Sequence, residues 1–302
     1  MITNLDPASE LFLANVDRIQ QNIAAANRQV SSGKKINVAS DAPDQIGSLI
    51  QLRASLQHNS QIQSNLTSAK ADAASADTAL SSAITLMDQA LVLGEQGANS
   101  TQTSDARQSF AQQVQSIQDQ MVACSQTTSQ GRYIFSGDQM NSPAYTFNSA
   151  LLSTNPVVRQ FVAAATYRIE DPAGGSFAAA QSAQQIFDGP APGNVFTALN
   201  NLRLALLGGD TTTIANAIDP IKQASMHLNS VQAFYGQVEN RIQTASDFAS
   251  RLDTQLRTKI SQIEDADVTS AALELTQAST QLQAALQMKG KMPHTSLFDY
   301  LA

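Results

Sequence analysis

The chain has no tryptophan, a single cysteine, and aromatic residues at only 5% of its 302 positions. Charged residues are scarce as well, at 14% where roughly 25% is usual. One cysteine excludes an intrachain disulfide. Cys124 also lies on an apolar stripe with Met121, where a small buried hydrophobe fits better than a reactive thiol. The net charge of −7 leaves no basic patch to release counterions from phosphates, so nucleic acid is not an expected partner. The basic cluster Ser32-Gly33-Lys34-Lys35 is too short to hold a polyanion. No apolar run is long enough to span a bilayer, which excludes membrane insertion through a helix. The segment Met1 to Pro7 shows no basic stretch leading into an apolar one, so a cleaved secretory signal is not expected.

Catalytic chemistry finds no foothold. His58, His227 and His294 are scattered, with no partner at metal-ligand spacing. A phosphate loop, a dinucleotide fingerprint and a nucleophile elbow are all missing. Asp265 and Asp267 follow Glu264, but acids at a helix break usually cap it or face solvent. The expectation is no enzyme, no metal and no cofactor.

What the chain does have is Ala, Gln, Ser, Asn and Thr set around long apolar seams. Steps of three and four connect Ile221, Ala224, Leu228, Val231, Tyr235, Val238, Ile242, Ala245, Ala249, Leu252, Leu256, Lys259 and Ile263. That is the heptad stripe of a coiled-coil helix about 65 Å long. Such a helix cannot bury its stripe alone, and the N-terminal half offers three matching stretches. One is Val16, Ile19, Ile23, Ala26 and Val30. A second runs from Leu49 to Leu91, with polar entries at Gln63, Lys70 and Asp77 that weaken its middle and can either fix register or mark a change of partner contact. The third is Phe110, Val114, Ile117, Met121 and Cys124. A last stripe, Leu275, Ala278, Leu282 and Ala285, runs toward Gly290. The pattern predicts a rod of paired helices rather than a globule.

Punctuation divides the chain. Gly33 is placed to close the first helix in the left-handed conformation. Asp41 is placed to cap the second, with Pro43 in its first turn. That helix should fade at Gly94-Glu95-Gln96-Gly97, Thr103-Ser104-Asp105 should start a third, and Gly131 should stop it. Turn chemistry then crowds in, as in Asp171-Pro172-Ala173-Gly174-Gly175 and Gly189-Pro190-Ala191-Pro192-Gly193. Short runs such as Tyr133-Ile134-Phe135, Val157-Val158 and Tyr167-Arg168-Ile169 read as strands. Most aromatics fall here, which suggests a small independent core. The fold class is therefore mainly α: a long coiled-coil-like bundle built from both chain ends, with a small β-containing insertion between them.

These residues resemble the flagellin superfamily, over roughly 135 positions at the front and 90 at the back. Val30-Ser31-Ser32-Gly33-Lys34-Lys35-Ile36-Asn37 and Ala39-Ser40-Asp41-Ala42-Pro43 are similar to its "LSSGxRINSAxDDAAG" segment, and Ala98-Asn99-Ser100-Thr101 also matches. Ile263-Glu264-Asp265-Ala266-Asp267-Val268 is similar to its "IEDxDxA" turn. Two details point to the hook-associated protein 3 group: Gly131-Arg132-Tyr133-Ile134-Phe135-Ser136-Gly137 and the tail Ser296 to Leu301. The resemblance implies a structural piece of the bacterial flagellum at the junction of hook and filament. It implies export by the flagellar type III route, and as partners further copies of itself, the hook-side junction protein, flagellin and an export chaperone. Residues 1–40 and 266–302 would be inner-core helices that order on stacking. Residues 41–136 and 211–265 would form the rod, and 137–210 the insertion. Subunit-interface candidates are Val16, Ile19, Ile23, Val30, Leu275, Leu282, Leu297, Phe298, Tyr300 and Leu301. A filament flagellin is the nearest alternative, and an unrelated helical secretion scaffold a more distant one.

Overall fold

The computed structural model describes residues 7–189 and 193–291. The chain forms two compact units: 1–58 with 252–302, and 59–251. Seven α-helices are seen among the described residues, two of them unusually long. They are α1 (Pro7–Ser32), α2 (Pro43–Ala98), α3 (Ser104–Ser125), α4 (Ala183–Phe187), α5 (Val195–Gly208), α6 (Thr211–Glu264) and α7 (Val268–Lys291). Six short strands lie between α3 and α4: β1 (Thr128–Ser129), β2 (Arg132–Tyr133), β3 (Tyr145–Phe147), β4 (Val157–Arg159), β5 (Arg168–Glu170) and β6 (Ser176–Ala178). The mainly helical fold with a small β-containing insertion is as the seams predict.

In the unit 59–251, α2 and α6 run antiparallel, and three polar contacts mark their register, one buried in the seam at Asn59 and two nearer the surface. Asn59 Nδ2 donates to the Ala249 carbonyl at 2.9 Å, Lys70 Nζ to Gln243 Oε1 at 3.1 Å, and Gln232 Nε2 to Asp77 Oδ1 at 3.0 Å. Position numbers rise along α2 as they fall along α6, so a one-turn slip would break every one of these bonds. Leu66, Leu80 and Met87 of α2 face the core that holds Ile221, Leu228 and Val231 of α6, as expected. In the middle of α2, however, the buried positions are Ile62, Ala69 and Ala76 beside the expected Gln63, Lys70 and Asp77, because the stripe shifts by one residue to keep apolar side chains inward. Val114, Ile117 and Met121 of α3 join the same core. Lys259 departs from the stripe: it is exposed, and Ile260 packs beside Ile263 instead.

Two turn readings change. Asp41 does not cap α2. It ends a short 3₁₀ turn, Ala39–Asp41, and its Oδ2 accepts the backbone amides of Asn37 and Val38, both at 2.9 Å. Helix α3 stops at Ser125, and Gly131 serves the β1–β2 hairpin with Gln130, both at positive φ (76° and 50°). Two positive φ values in a two-residue loop are the type I′ geometry that suits strand twist. Helix α2 ends at Ala98, one residue past the run expected to close it, with Gly94 and Gly97 still helical. A Cβ on Gly94 would lie 3.1 Å from Leu202 Cδ1, and one on Gly97 would collide with Leu206. These glycines let α5 and α6 approach.

The insertion has no separate core. Its three antiparallel pairs, β1–β2, β3–β4 and β5–β6, never merge into one sheet. Strands of two or three residues bury too little to stand alone. Their aromatics therefore join the helices: Phe135 sits edge-on to Phe187 (5.9 Å) and to Tyr235 of α6 (6.4 Å), and Tyr145 packs on Phe196 of α5 (4.8 Å). Polar ties add to this. Arg241 of α6 lies over the Phe177 ring at 4.4 Å and 3.8 Å from Asp171. Asn200 and Arg203 of α5 donate to the carbonyls of Thr154 and Leu152 at 2.7 and 2.6 Å.

Leu228 is fully enclosed in this core. Leu228→Asp would bury an unpaired carboxylate there, and should destabilise the protein by at least about 3 kcal/mol. Thermal unfolding checks it, and a shift within error would remove Leu228 from the buried stripe.

Candidate assembly interface

In the unit formed by the two chain ends, α1 and α7 pack antiparallel. Lys289 near the end of α7 donates to Ser9 Oγ at 3.2 Å and lies 5.3 Å above the Phe12 ring. At the opposite end, the amide of Ala266 donates to the Gly33 carbonyl at 2.9 Å. Gly33 takes φ +69° and closes α1, as the sequence predicts. Asp267 caps α7, accepting the amides of Thr269 and Ser270 at 2.9 and 3.2 Å.

The buried residues of this pair are small: Ala26, Ala271 and Ala278. Of the interface candidates, Val16, Ile19, Ile23 and Val30 of α1 are half-buried, as are Leu275 and Leu282 of α7. The two short seams thus face one another and cover each other only in part. Leu297, Phe298, Tyr300 and Leu301 lie outside the described residues.

The structure adds a second face that the sequence does not single out. Leu273 and Met288 of α7 are 60% and 68% exposed, with Gln277 and Ala284 exposed between them. At 100° per residue these four fall on one stripe, opposite Leu275, Ala278 and Leu282. Leu11 and Leu13 of α1 are exposed too, at 67% and 49%. Charge would not repel a partner here, since α7 carries only Glu274, Lys289 and Lys291. An uncharged stripe with a large exposed apolar side chain at each end marks a candidate surface for protein contact.

Glu264 also escapes sequence reasoning, which groups it with the solvated acids. It is 3% exposed and meets two cations: Lys34 Nζ, and Arg53 Nη2 at 2.7 Å. Its carbonyl accepts the amides of Lys35 and Ile36 at 2.6 and 3.4 Å. A lone glutamate at a helix end carries no local pattern that distinguishes this role from a cap. Its partners lie more than two hundred positions away.

No catalytic arrangement emerges among the described residues. Among the described residues no cluster of His, Cys, Asp and Glu is suited to a metal. Burial pushes Tyr235 up to about 12, and its hydroxyl only accepts the Gln181 amide at 3.2 Å. Burial likewise pushes the Cys124 thiol up, consistent with an inert, half-buried side chain. Among the described residues no helix is long and apolar enough to cross a membrane.

Paired terminal helices and a helical unit with a short β insertion carry one exposed uncharged stripe on α7 suited to protein contact. The bacterial flagellin N-terminal helical region matches residues 4–140, and the C-terminal helical region matches 218–301. The chain belongs to the flagellin family, whose members are structural and not enzymes. It is a flagellar structural protein of the extracellular flagellum, assembling with other flagellar components. No curated protein matches it. Solved structures share its fold. A provisionally assigned flagellar hook-associated protein from Vibrio parahaemolyticus is 17% identical, with a TM-score of 0.63 over 74% of this chain and 100% of that one. FlgL of Bacillus cereus is 19% identical, with a TM-score of 0.55 over 70% and 99%. The flagellar junction protein FlgL of Legionella pneumophila is 13% identical, with a TM-score of 0.54 over 65% and 99%.

Charging the outer stripe of α7 tests its role. Leu273→Asp combined with Met288→Asp alters exposed positions, so helical content and melting of the monomer should not change beyond error. Burying two carboxylates against a neighbour should cut the amount found in purified flagella by at least about tenfold at equal secretion. Normal incorporation would show that this face stays in water.

Proposed function

We propose that the protein is the adaptor between hook and filament, on which flagellin assembles. The observation that carries this reading is the likeness of fold to junction proteins along nearly their whole length, including 99% of the Legionella pneumophila chain. The segment Gly131 to Gly137 supports it. Arg132 and Tyr133 form β2, Phe135 is fully buried against Phe187 and Tyr235, and Gly137 (φ +60°) has the Ala165 carbonyl where a Cβ would be. The sequence that resembles the hook-associated protein 3 group is therefore the one that turns the chain from α3 into the insertion.

In this reading Val16, Ile19, Ile23, Val30, Leu275 and Leu282, with Leu297, Phe298, Tyr300 and Leu301 of the tail, form contacts in the assembled tube. Further copies of the chain, the hook-side junction protein and flagellin are its neighbours there. An export chaperone accompanies it before secretion by the flagellar type III route. The half-buried seams of α1 and α7 suit such a chain, because two helices with mostly alanine between them gain stability from neighbouring copies. A filament flagellin is the second reading, since the flagellin N- and C-terminal regions match both ends of the chain.

Gold-labelled antibody on purified flagella separates the two. Label confined to the hook end of each filament is the expected result. Label along the filament would overturn the junction reading in favour of a filament subunit. Cells carrying only a chain that lacks Ser296 to Ala302 should make hooks, shed flagellin into the medium and fail to swim. Normal filaments on those cells would show that the tail is dispensable.

A further inference from the structure

We propose that Glu264 is an acid-sensitive latch that locks the α1–α2 connector and the α6–α7 connector into one folded joint. The joint draws on chain segments far apart in sequence. Lys34 belongs to the first connector, Arg53 to α2, and Glu264 to the last position of α6. Backbone bonds run in both directions: the amides of Lys35 and Ile36 donate to the Glu264 carbonyl, and that of Ala266 to Gly33. Lys34 and Asp265 form a β-bridge beside them.

The apolar support beneath is slight. Ile36, Ala42 and Leu49 are buried there, with Ile46, Ile260 and Ile263 packed against them. Three buried residues, one of them alanine, supply little hydrophobic stabilisation against the ordering of two connectors. The ionic contacts therefore decide whether the joint is closed. A buried carboxylate with two cations is stable only while it is charged, and each cation is about half exposed, so both return readily to water.

Three other acids on the joint have partners of their own. Asp41 is engaged with the amides of Asn37 and Val38, Asp265 with Ser261 Oγ, and Asp267 with the start of α7. Lys35 is exposed. None of these three acids is paired with Lys34 or Arg53 in place of Glu264. Burial raises the Glu264 carboxyl, but hydrogen bonds from Lys34 and Arg53 more than reverse this and hold it below its ordinary 4.5. A depressed carboxylate contributes its stability in full above the unfolded value. That contribution is lost as pH falls through the lower folded value. The latch is closed at neutral pH and opens below about 4.5, the ordinary value. Asp41 is held low by the amides of Val38 and Asn37 and titrates in the same direction, so variants must separate the two.

Amide hydrogen exchange of the full chain by mass spectrometry, corrected for the intrinsic pH dependence of exchange, reads the joint directly. In the wild type, peptides covering 33–41 and 264–268 should lose protection as the solution is acidified from neutrality past the ordinary glutamate value, while α3 stays protected. In Glu264→Gln the same peptides should exchange at least about tenfold faster already at neutral pH, with little further change on acidification. Arg53→Met keeps the carboxylate but removes one cation, and should move the loss of protection to higher pH. Asp41→Asn should loosen the 37–41 turn and leave the 264–268 transition in place. Wild-type protection in Glu264→Gln at neutral pH, or an unshifted transition in Arg53→Met, would overturn the proposal. So would a wild-type joint that stays protected in acid.

Discussion

A helix more than fifty residues long cannot exist as a single amphipathic stripe in water, and every other feature of this chain follows from how α2 and α6 solve that problem. They come from opposite halves of the sequence and pair antiparallel, and in the unit of the chain ends α1 and α7 do the same. Apolar seams alone would tolerate a slip of one turn, because a heptad repeats. The bonds of Asn59 to Ala249, Lys70 to Gln243 and Asp77 to Gln232 do not tolerate it. Polar contacts in and beside the seam are what make its register unique.

The insertion depends on that pairing. Tyr235 has to stand at one place on α6 to receive Phe135, and Arg241 has to stand at another to cover Phe177. With strands of two or three residues, the β segment borrows its core from the helices and returns little stability of its own. This explains how a region dense in Gly and Pro can be ordered: its side chains are seated on surfaces the long helices already hold rigid. It also explains Gly94 and Gly97. Helices α5 and α6 can reach the end of α2 only where no Cβ stands in the way.

Much of the fold is legible in the sequence because periodicity is local and redundant. The seam from Ile221 to Ala249 is buried at every reading position through α6, and Gly33, Pro43 and Thr103 mark helix ends where turn chemistry says they should. The misreadings share a physical cause. Gly131 reads as a stop yet shapes a hairpin, while Gly94, near the helix end it signals, also admits a neighbouring helix, and glycine signals all three in the same way. Glu264 is hidden because its partners, Lys34 and Arg53, are remote in sequence. The outer stripe of α7 is hidden by its spacing, since Leu273 and Met288 are separated by Gln277 and Ala284, which belong as readily to a solvated surface. The half-buried candidates Val16, Ile19, Ile23, Leu275 and Leu282 stand out only because strong β-branched and leucine positions recur there.

The low charge content takes on meaning once the surfaces are visible. Along α2 and α6 the exposed hydroxyls turn inward to their own helix: Thr67 donates to the Gln63 carbonyl, Thr78 to Ala74, Thr244 to Asn240 and Thr258 to Thr254, all within 3.0 Å. A hydroxyl already bonded to a backbone carbonyl loses less when a neighbouring protein displaces its water. A lysine or glutamate in the same place would have to be paired or dehydrated at much greater cost. A surface of internally satisfied Ser and Thr, interrupted by alanine, can therefore be soluble as a monomer and still be covered at little penalty. A surface with few charges suits a flagellar subunit if the same faces must be wet before assembly and dry after it.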